Sequence, residues 1–163
     1  MVILALDVGD ARIGVAVSDE LELIATPRPL IRRKSTAAAI AAVTQEITRS
    51  EAQVVVVGLP VSFDGRLHAQ ALAIQAFGEK LRRRITQPLI YADETLTSVR
   101  AEERLRAAGI RPERIRERID SEAAAIILED VLEQRRRERR EREERARAQD
   151  ATELDRQQED ESR

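Results

Sequence analysis

The chain begins with MVILALDVGDARIGVAVSD, residues 1–19, and this stretch decides how the rest is interpreted. Its first six residues are apolar, and the run ends at Asp7 and the turn residue Gly9, which predicts a short buried strand. A second apolar run over 13–18 follows at once, so a tight hairpin is expected. Burying a carboxylate at a strand end costs free energy unless a positive charge offsets it. Asp7 is therefore the first candidate for chemistry.

The remaining pattern predicts a mixed five-stranded α/β sheet with helices on both faces. An extended segment over 23–33 carries two prolines and should lie at the sheet edge. Buried strands over 54–57 and 89–92 each follow a helix, so they should run parallel to the first strand. Helical spacing marks five helices: 36–48, 68–84, 98–108, a short helix from Pro112, and a last helix opened by Asp120.

Three acids from distant parts of the chain are expected to meet at one edge of this sheet. Ligands gather at the carboxyl ends of strands in open α/β sheets. Asp7 lies at one such end, Asp93 and Glu94 lie at another, and Asp120 begins a helix that can reach the same place. Carboxylate oxygens are the ligands that Mg²⁺ prefers, and two such ions can promote phosphodiester cleavage without any His ligand. The sequence therefore predicts a carboxylate metal site.

Composition removes several other kinds of site. The chain has no Cys and one His, which excludes disulfides, thiolate zinc sites and cysteine nucleophiles, and leaves almost no room for a Ser-His-Asp triad. No apolar stretch approaches the ~18 residues of a membrane span, and no signal-like segment is present, so a cytoplasmic location is expected. Hydrolytic chemistry then has to rest on carboxylates, hydroxyls, Arg and Lys.

The net charge of −2 favours no class of partner by itself, but the charge is unevenly distributed. The segment 135–147 holds eight Arg against four Glu, and 148–163 holds six acids against two Arg. A solvated helix extension that frays into disorder is the favoured interpretation, with an Arg-rich arm that contacts phosphates as the alternative. We therefore predict a nuclease domain over 1–134 and a charged tail over 135–163.

Four blocks, covering about the first 134 residues in order, resemble the YqgF family, relatives of the RuvC resolvases with a ribonuclease-H-like fold. These blocks are LALDVGDARIGVAVSD (4–19), VVVGLPVSFDG (55–65), YADETLTSVRAEERL (91–105) and IDSEAAAIILEDVLE (119–133). The resemblance implies that Asp7, Glu94 and Asp120 bind Mg²⁺ or Mn²⁺, as two ions. It also implies a nuclease that matures the 5′ end of pre-16S ribosomal RNA, with the ribosome as a further partner.

Other functions remain open at this stage. The same acids could serve a Holliday junction resolvase that cuts branched DNA, because such a site reads phosphates and geometry rather than bases. The glycine-rich opening hairpin is also similar to the phosphate loop of sugar kinases and actin-like ATPases, which suggests a nucleotide-binding module. A nucleic-acid-binding domain without catalysis is the last alternative.

Each candidate residue has a structural alternative. Asp7 could cap the Gly9 turn, and Asp120 could be a plain helix N-cap. Glu94 could pair with Arg100, leaving Asp93 as the ligand. For substrate binding we expect Arg12 to contact phosphate, although it could instead be a surface Arg beside Asp10.

Three more residues complete the predicted substrate contacts. Thr95 and Ser98 follow the second acid, and Arg66 follows the glycine-containing turn at 64–65. Arg66, together with the basic run 82–84, could face a nucleic-acid backbone. The run 82–84 points around a helix rather than along one face, so a continuous basic surface is not assured.

Overall fold

A five-stranded mixed sheet forms the centre of the computed structural model. The structure describes residues 1–60, 69–94 and 97–161, and it describes side chains as far as residue 149. The strands are β1 (Ile3–Val8), β2 (Arg12–Ser18), β3 (Ala25–Arg32), β4 (Val54–Leu59) and β5 (Leu89–Asp93). The described helices are α1 (Thr36–Ser50), α2 (Ala69–Arg82), α3 (Thr97–Ala107) and α4 (Pro112–Glu161). This confirms the predicted fold class.

The strand order is β3-β2-β1-β4-β5, with β1 at the centre. β1 and β2 form the predicted hairpin, closed by a hydrogen bond of 2.9 Å from the Gly9 amide to the Arg12 carbonyl. β3 pairs antiparallel with β2 and lies at the edge, as its prolines predict. β4 and β5 run parallel to β1, so β1, β4 and β5 all end at one side of the sheet, called here the carboxyl edge.

Helices cover both faces of the sheet. Leu4, Leu6 and Val8 of β1 belong to a core cluster that includes buried residues of α1 and α2. Because side chains alternate along a strand, Asp7 faces the other side. On that second face, the backbone of α4 approaches β2, and Ile127 of α4 approaches β4. The site residues therefore lie between the sheet and α4.

The last part of the chain differs from the prediction of two helices, because α4 continues without interruption from Pro112 to Glu161. No Pro or Gly follows Pro112, and Ile115, Ile119, Ala123 and Ile126 keep helical spacing across the expected break. Asp120 is thus an interior helical residue, so the prediction that it opens a helix as an N-cap was wrong.

The chain divides into two compact units, Met1–Asp130 and Val131–Arg163. In the second unit the charged segment is helical through Glu161, and side chains from 138 to 149 are exposed. Helical-spacing contacts, such as Gln134 donating to Glu138 over 3.0 Å and the ion pair of Arg137 with Glu133, link successive turns. None of the described helices is both long and apolar enough to span a bilayer.

Candidate active site

Asp7 lies at the centre of the candidate site, one residue before β1 ends. It is half-buried, and its register partner on β2 is Gly14. Residues directly opposite each other in an antiparallel pair project to the same face. Since Gly14 has no side chain, the space beside the Asp7 carboxylate stays open for another element.

The backbone of α4 fills that space. A Cβ atom built on Gly14 would lie 1.8 Å from the Asp120 carbonyl oxygen, so only glycine permits this approach. The contact brings Asp120 beside Asp7. Burial, and then the charge of Asp120, raise the pKa of Asp7 to about 6. Two acids separated by more than a hundred residues therefore meet through one glycine.

A second glycine, Gly58 of β4, makes room for Glu94. A Cβ atom on Gly58 would lie 2.4 Å from Glu94 Oε2 and 2.6 Å from Ile127 Cδ1. The Glu94 amide donates to the Leu59 carbonyl over 3.3 Å, which ties the residue after β5 to the end of β4. Burial, then the charges of Asp7 and Asp93, raise the pKa of Glu94 to about 7.

Thr97 fixes the backbone of Glu94. This buried threonine donates to the Glu94 carbonyl twice, from its amide over 3.1 Å and from its hydroxyl over 2.9 Å. The two bonds tie Glu94 to the first residue of α3 and so hold it at the carboxyl edge. Thr97 was named in the resembling block, but its positioning role follows only from these contacts.

Two carboxylate oxygens of the site are buried without a hydrogen bond among the described residues, Glu94 Oε2 and Asp120 Oδ2. Asp120 Oδ2 does lie 2.8 Å from Arg12 Nε, an ion pair whose N–H is not aligned for a hydrogen bond. Arg12 also donates to the Arg116 carbonyl over 3.4 Å, so it rests on α4. A buried anionic oxygen without a donor is costly, and a bound cation would remove that cost.

The described part of the chain contains no group of three or more His, Asp or Glu side chains arranged to hold a metal ion. Asp7, Asp120 and Glu94 are electrostatic neighbours rather than a converged cage. Their chemistry nevertheless fits a hard divalent cation, because they offer oxygen ligands, two of them have raised pKa values, and Glu94 Oε2 is buried without a hydrogen bond among the described residues.

The structural alternatives for these acids are resolved in part. Arg100 binds Asp130 with both guanidinium nitrogens, over 2.7 and 3.1 Å, so it does not pair with Glu94 as one alternative expected. Asp93 is exposed at the end of β5, whereas Glu94 Oε2 is buried beside Gly58. The geometry thus favours Glu94 over Asp93 as the inward acid.

The predicted substrate contacts are dispersed. Arg12 is half-exposed at the start of β2 and touches the site through Asp120. Ser98 is exposed near the start of α3. Thr95 and Arg66 lie outside the described residues.

Gly58 is the position whose role sequence reasoning missed. The sequence pattern placed it in a turn after 54–57, but β4 continues to Leu59 and Gly58 pairs with Ala92 inside the sheet. A glycine within an apolar strand often marks the close approach of another group, and this signal was available in VVVVGL.

A mixed sheet of this order, with helices on both faces, defines the ribonuclease-H-like fold. The family model of RuvX, described as a Holliday junction resolvase, matches residues 1–134. The chain belongs to the RuvX family, and the resemblance to YqgF proteins is confirmed. As a member it is a nuclease, a hydrolase of phosphodiester bonds.

Curated relatives align with the same part of the chain. A protein of Chloroflexus aggregans named "Putative pre-16S rRNA nuclease" is 45% identical over 134 residues, which is 82% of this chain and 94% of the relative. A protein of the same name from Synechococcus sp. (strain JA-3-3Ab) is 44% identical over 133 residues, covering 82% of this chain and 84% of the relative.

Solved structures support the fold. RuvC of Thermus thermophilus aligns with a TM-score of 0.51 at 15% identity, covering 83% of this chain and 96% of RuvC. The fowlpox virus resolvase, in complex with Holliday junction DNA, aligns with a TM-score of 0.52 at 13% identity, covering 82% of this chain and 98% of the resolvase.

Proposed function

We propose that this nuclease is metal-dependent and removes the 5′ extension of pre-16S ribosomal RNA, using Asp7, Glu94 and Asp120 as its metal ligands. The observation that carries the proposal is the buried, unbonded Glu94 Oε2 next to a second acid, Asp7, whose pKa is raised to about 6. Buried carboxylates with raised pKa values are typical of catalytic sites. The names of the curated relatives supply the substrate.

The proposed cofactor is Mg²⁺ or Mn²⁺, as two ions, which Asp7, Glu94 and Asp120 would hold. A divalent cation held there would activate a water for attack on phosphorus and offset the charge that develops on the phosphate. Asp7 provides the fixed anchor, because β1 is the central strand and its backbone is hydrogen-bonded on both sides. Thr97 keeps the Glu94 carboxylate directed over Gly58.

Arg12 connects the metal ligands to the substrate. Its guanidinium lies against Asp120, yet the side chain is 43% exposed at the rim of the site. A guanidinium in this position can bind a phosphate of the incoming strand. We expect Thr95, Ser98 and Arg66 to add substrate contacts, with structured pre-ribosomal RNA, and through it the ribosome, as the partner.

Cleavage of branched DNA is the second candidate, favoured by the description of the family as Holliday junction resolvases. A carboxylate site of this kind does not distinguish RNA from DNA by itself, since it contacts phosphates. The two functions therefore need to be separated by substrate.

The test is cleavage of a labelled 5′-extended pre-16S RNA fragment and a labelled four-way DNA junction, with Mg²⁺, with Mn²⁺ and with chelator. We expect metal-dependent trimming of the RNA by the unmodified chain and none by Asp7→Asn. Asp10→Asn is the matched control, because Asp10 is an exposed acid in the same hairpin. Trimming by Asp7→Asn at the control rate would refute the site, and symmetric nicking of the junction alone would transfer the function to DNA.

The choice between neighbouring acids has its own test. Glu94→Gln should lose cleavage, and Asp93→Asn should keep it. The reverse pattern would make Asp93 the ligand.

A further inference from the structure

A cavity of about 440 Å³ lies beside the start of β2 and is lined almost entirely by cations: Ala11, Arg12, Arg32, Arg33 and Lys34. Arg12 and Arg32 are register partners on adjacent strands, so their side chains leave the sheet together. The Arg33 amide donates to the Ala11 carbonyl over 2.8 Å, which joins two of the lining residues. Arg12 belongs both to this cavity and to the ion pair with Asp120.

A second, larger cavity of about 760 Å³ forms a groove between α1 and α2. Its α1 wall is small or apolar, and its other wall carries three cations: Lys80 of α2, and Arg83 and Arg84, which directly follow α2. Because α1 and α2 pack with Leu4 and Leu6 of β1, this groove is on the face of the sheet opposite Asp7. The α1 wall begins at Thr36, two residues after Lys34 of the first cavity.

The cavity cations other than Arg12 differ from several basic residues on α1, α2 and α3, which pair with acids. Arg49 pairs with Glu46, Arg82 with Glu79 and Arg106 with Glu102. By contrast, within the described residues, no ion pair joins an acid to the exposed cations of the two cavities, which are Arg32, Lys34, Lys80, Arg83 and Arg84. No acid lines either cavity.

We propose that the two cavities form one phosphate-binding track for the backbone of the substrate nucleic acid. The track starts at Arg12 beside the site, passes Lys34 at the beginning of α1, and continues into the groove at Arg83 and Arg84. This inference rests on the proposed function and adds a substrate class: a nucleic acid that extends well beyond the cleaved bond, from one face of the sheet to the other.

The chemistry of the track favours phosphate over an acidic peptide. A peptide groove normally supplies apolar pockets for anchor side chains, whereas the apolar lining here is limited to small alanines and a half-buried Ile40. No aromatic side chain lines either cavity, so base stacking does not contribute. Binding should therefore be independent of sequence and strongly dependent on salt.

The test measures binding of the labelled 5′-extended RNA at several salt concentrations, in chelator so that metal-dependent cleavage does not intervene. The variant is Arg83→Gln/Arg84→Gln, and the matched control is Arg49→Gln/Arg106→Gln, which removes the same charge from paired arginines. We expect the variant to reduce the slope of log affinity against log salt by about one per removed cation. Its affinity near physiological salt should fall roughly tenfold while the control stays unchanged.

Further arms keep the result decisive. Lys34→Gln should reduce the slope by about one on its own. Circular dichroism checks that each variant is folded. An oligonucleotide too short to extend beyond the active site should bind the variant and the control with equal affinity. Weaker binding of this oligonucleotide by the variant would contradict the proposed path.

Failure of the track and failure of the nuclease have different signatures. Equal salt slopes for the variant and the control, in a chain that still cuts RNA, would overturn the track alone. A reduced slope in a chain that cuts neither RNA nor the junction would support the track and overturn the proposed function. An acidic peptide can also be tested as a competitor for the groove. If its slope of log affinity against log salt equals that of the RNA, phosphate recognition is rejected.

Discussion

Helix α4 carries acids in two contrasting environments. Asp120 lies beside Asp7, and its charge helps to raise the pKa of that carboxyl. About three turns further along, Glu129 and Asp130 are bound by Arg104 and Arg100, and these hydrogen bonds raise the pKa of both guanidinium groups. Asp120 therefore lies close to another acid, whereas Glu129 and Asp130 are each bound by an arginine.

These two environments have different consequences, one for the chemistry of the site and the other for the stability of the fold. The pairs between α3 and α4 are exposed, and such pairs contribute little to stability but do not oppose it. Burial and neighbouring charges raise the pKa values of Asp7 and Glu94, so the charged forms of these two acids oppose folding. Close contacts at Gly14 and Gly58 bring Asp120 and Glu94 to the site. Acids with raised pKa values of this kind are frequent at functional sites, where stability is exchanged for activity.

The largest effect should come from Gly14→Ala, which breaks the acidic group at its base. Its Cβ would meet the Asp120 backbone at 1.8 Å, and a helix backbone cannot yield as a side chain does. We expect a loss of about 3 kcal/mol or more in the free energy of unfolding, measured by denaturant titration, together with lost cleavage.

Gly58→Ala is the comparison that tests this explanation. Its Cβ would meet the tips of two side chains, Glu94 and Ile127, which can move. We expect a smaller stability loss, about 1–2 kcal/mol, but a loss of cleavage because Glu94 is displaced. Equal stability losses for the two variants would contradict the distinction between backbone and side-chain contact.

Asp7→Asn should stabilise the metal-free protein near neutral pH. The folded pKa of Asp7 is about 6, above its ordinary value of 3.8, so its charged form opposes folding. The shift corresponds to a gain of up to about 3 kcal/mol in the variant, measured by denaturant titration in chelator. The exposed-acid control Asp10→Asn should change stability little.

The same shift fixes a pH dependence. A raised carboxyl pKa contributes stability that is complete below the unfolded value and is lost as pH rises through the folded value. The stability advantage of Asp7→Asn over the unmodified chain should therefore be absent below about pH 4 and grow until about pH 6. An advantage that shrinks with rising pH would show that Asp7 is stabilised as an anion.

Metal should reverse the order of the two proteins. A cation that binds only the folded state raises the melting temperature. We expect Mn²⁺ to raise the melting temperature of the unmodified chain and to leave Asp7→Asn nearly unchanged, as followed by thermal denaturation. Equal shifts in both proteins would place the bound ion away from Asp7.

Arg104→Gln sharpens the other side of the comparison. Arg104 holds Glu122 over 3.1 Å and Glu129 over 2.7 Å, and Glu122 is mostly buried. We expect a loss of about 1 kcal/mol in unfolding free energy, reduced by salt, without loss of cleavage. A loss of cleavage with stability intact would connect this pair to the site.

Asp130→Asn should have the smallest effect. Asp130 and Arg100 are each 44% exposed, so their bidentate pair is well solvated. We expect a change of about 0.5 kcal/mol or less, measured by the same titration. A much larger loss would mean that the pair anchors α4.

Local sequence signals predicted much of the fold because they depend on neighbouring residues. Two apolar runs separated by the Gly9 turn predict the β1–β2 hairpin, and the prolines of β3 predict an edge strand. The same reasoning failed at Asp120, where a residue suited to an N-cap was outweighed by apolar spacing that continues through it. Capping preference is a weak local term, whereas the buried face of α4 is fixed by packing.

By itself, the sequence predicted the order of the five strands and the first three helices and excluded cysteine- and histidine-based sites, because apolar periodicity and residue type are local properties. Asp7, Glu94 and Asp120 stay predicted metal ligands. Only the tertiary structure decided that Gly14 admits the α4 backbone, that Gly58 admits Glu94 rather than Asp93, and that, among the described residues, the cavity cations other than Arg12 form no ion pair with an acid. These facts depend on the distances between elements that are far apart in the chain. No local pattern encodes such a distance, since it is set by how the helices pack on the sheet.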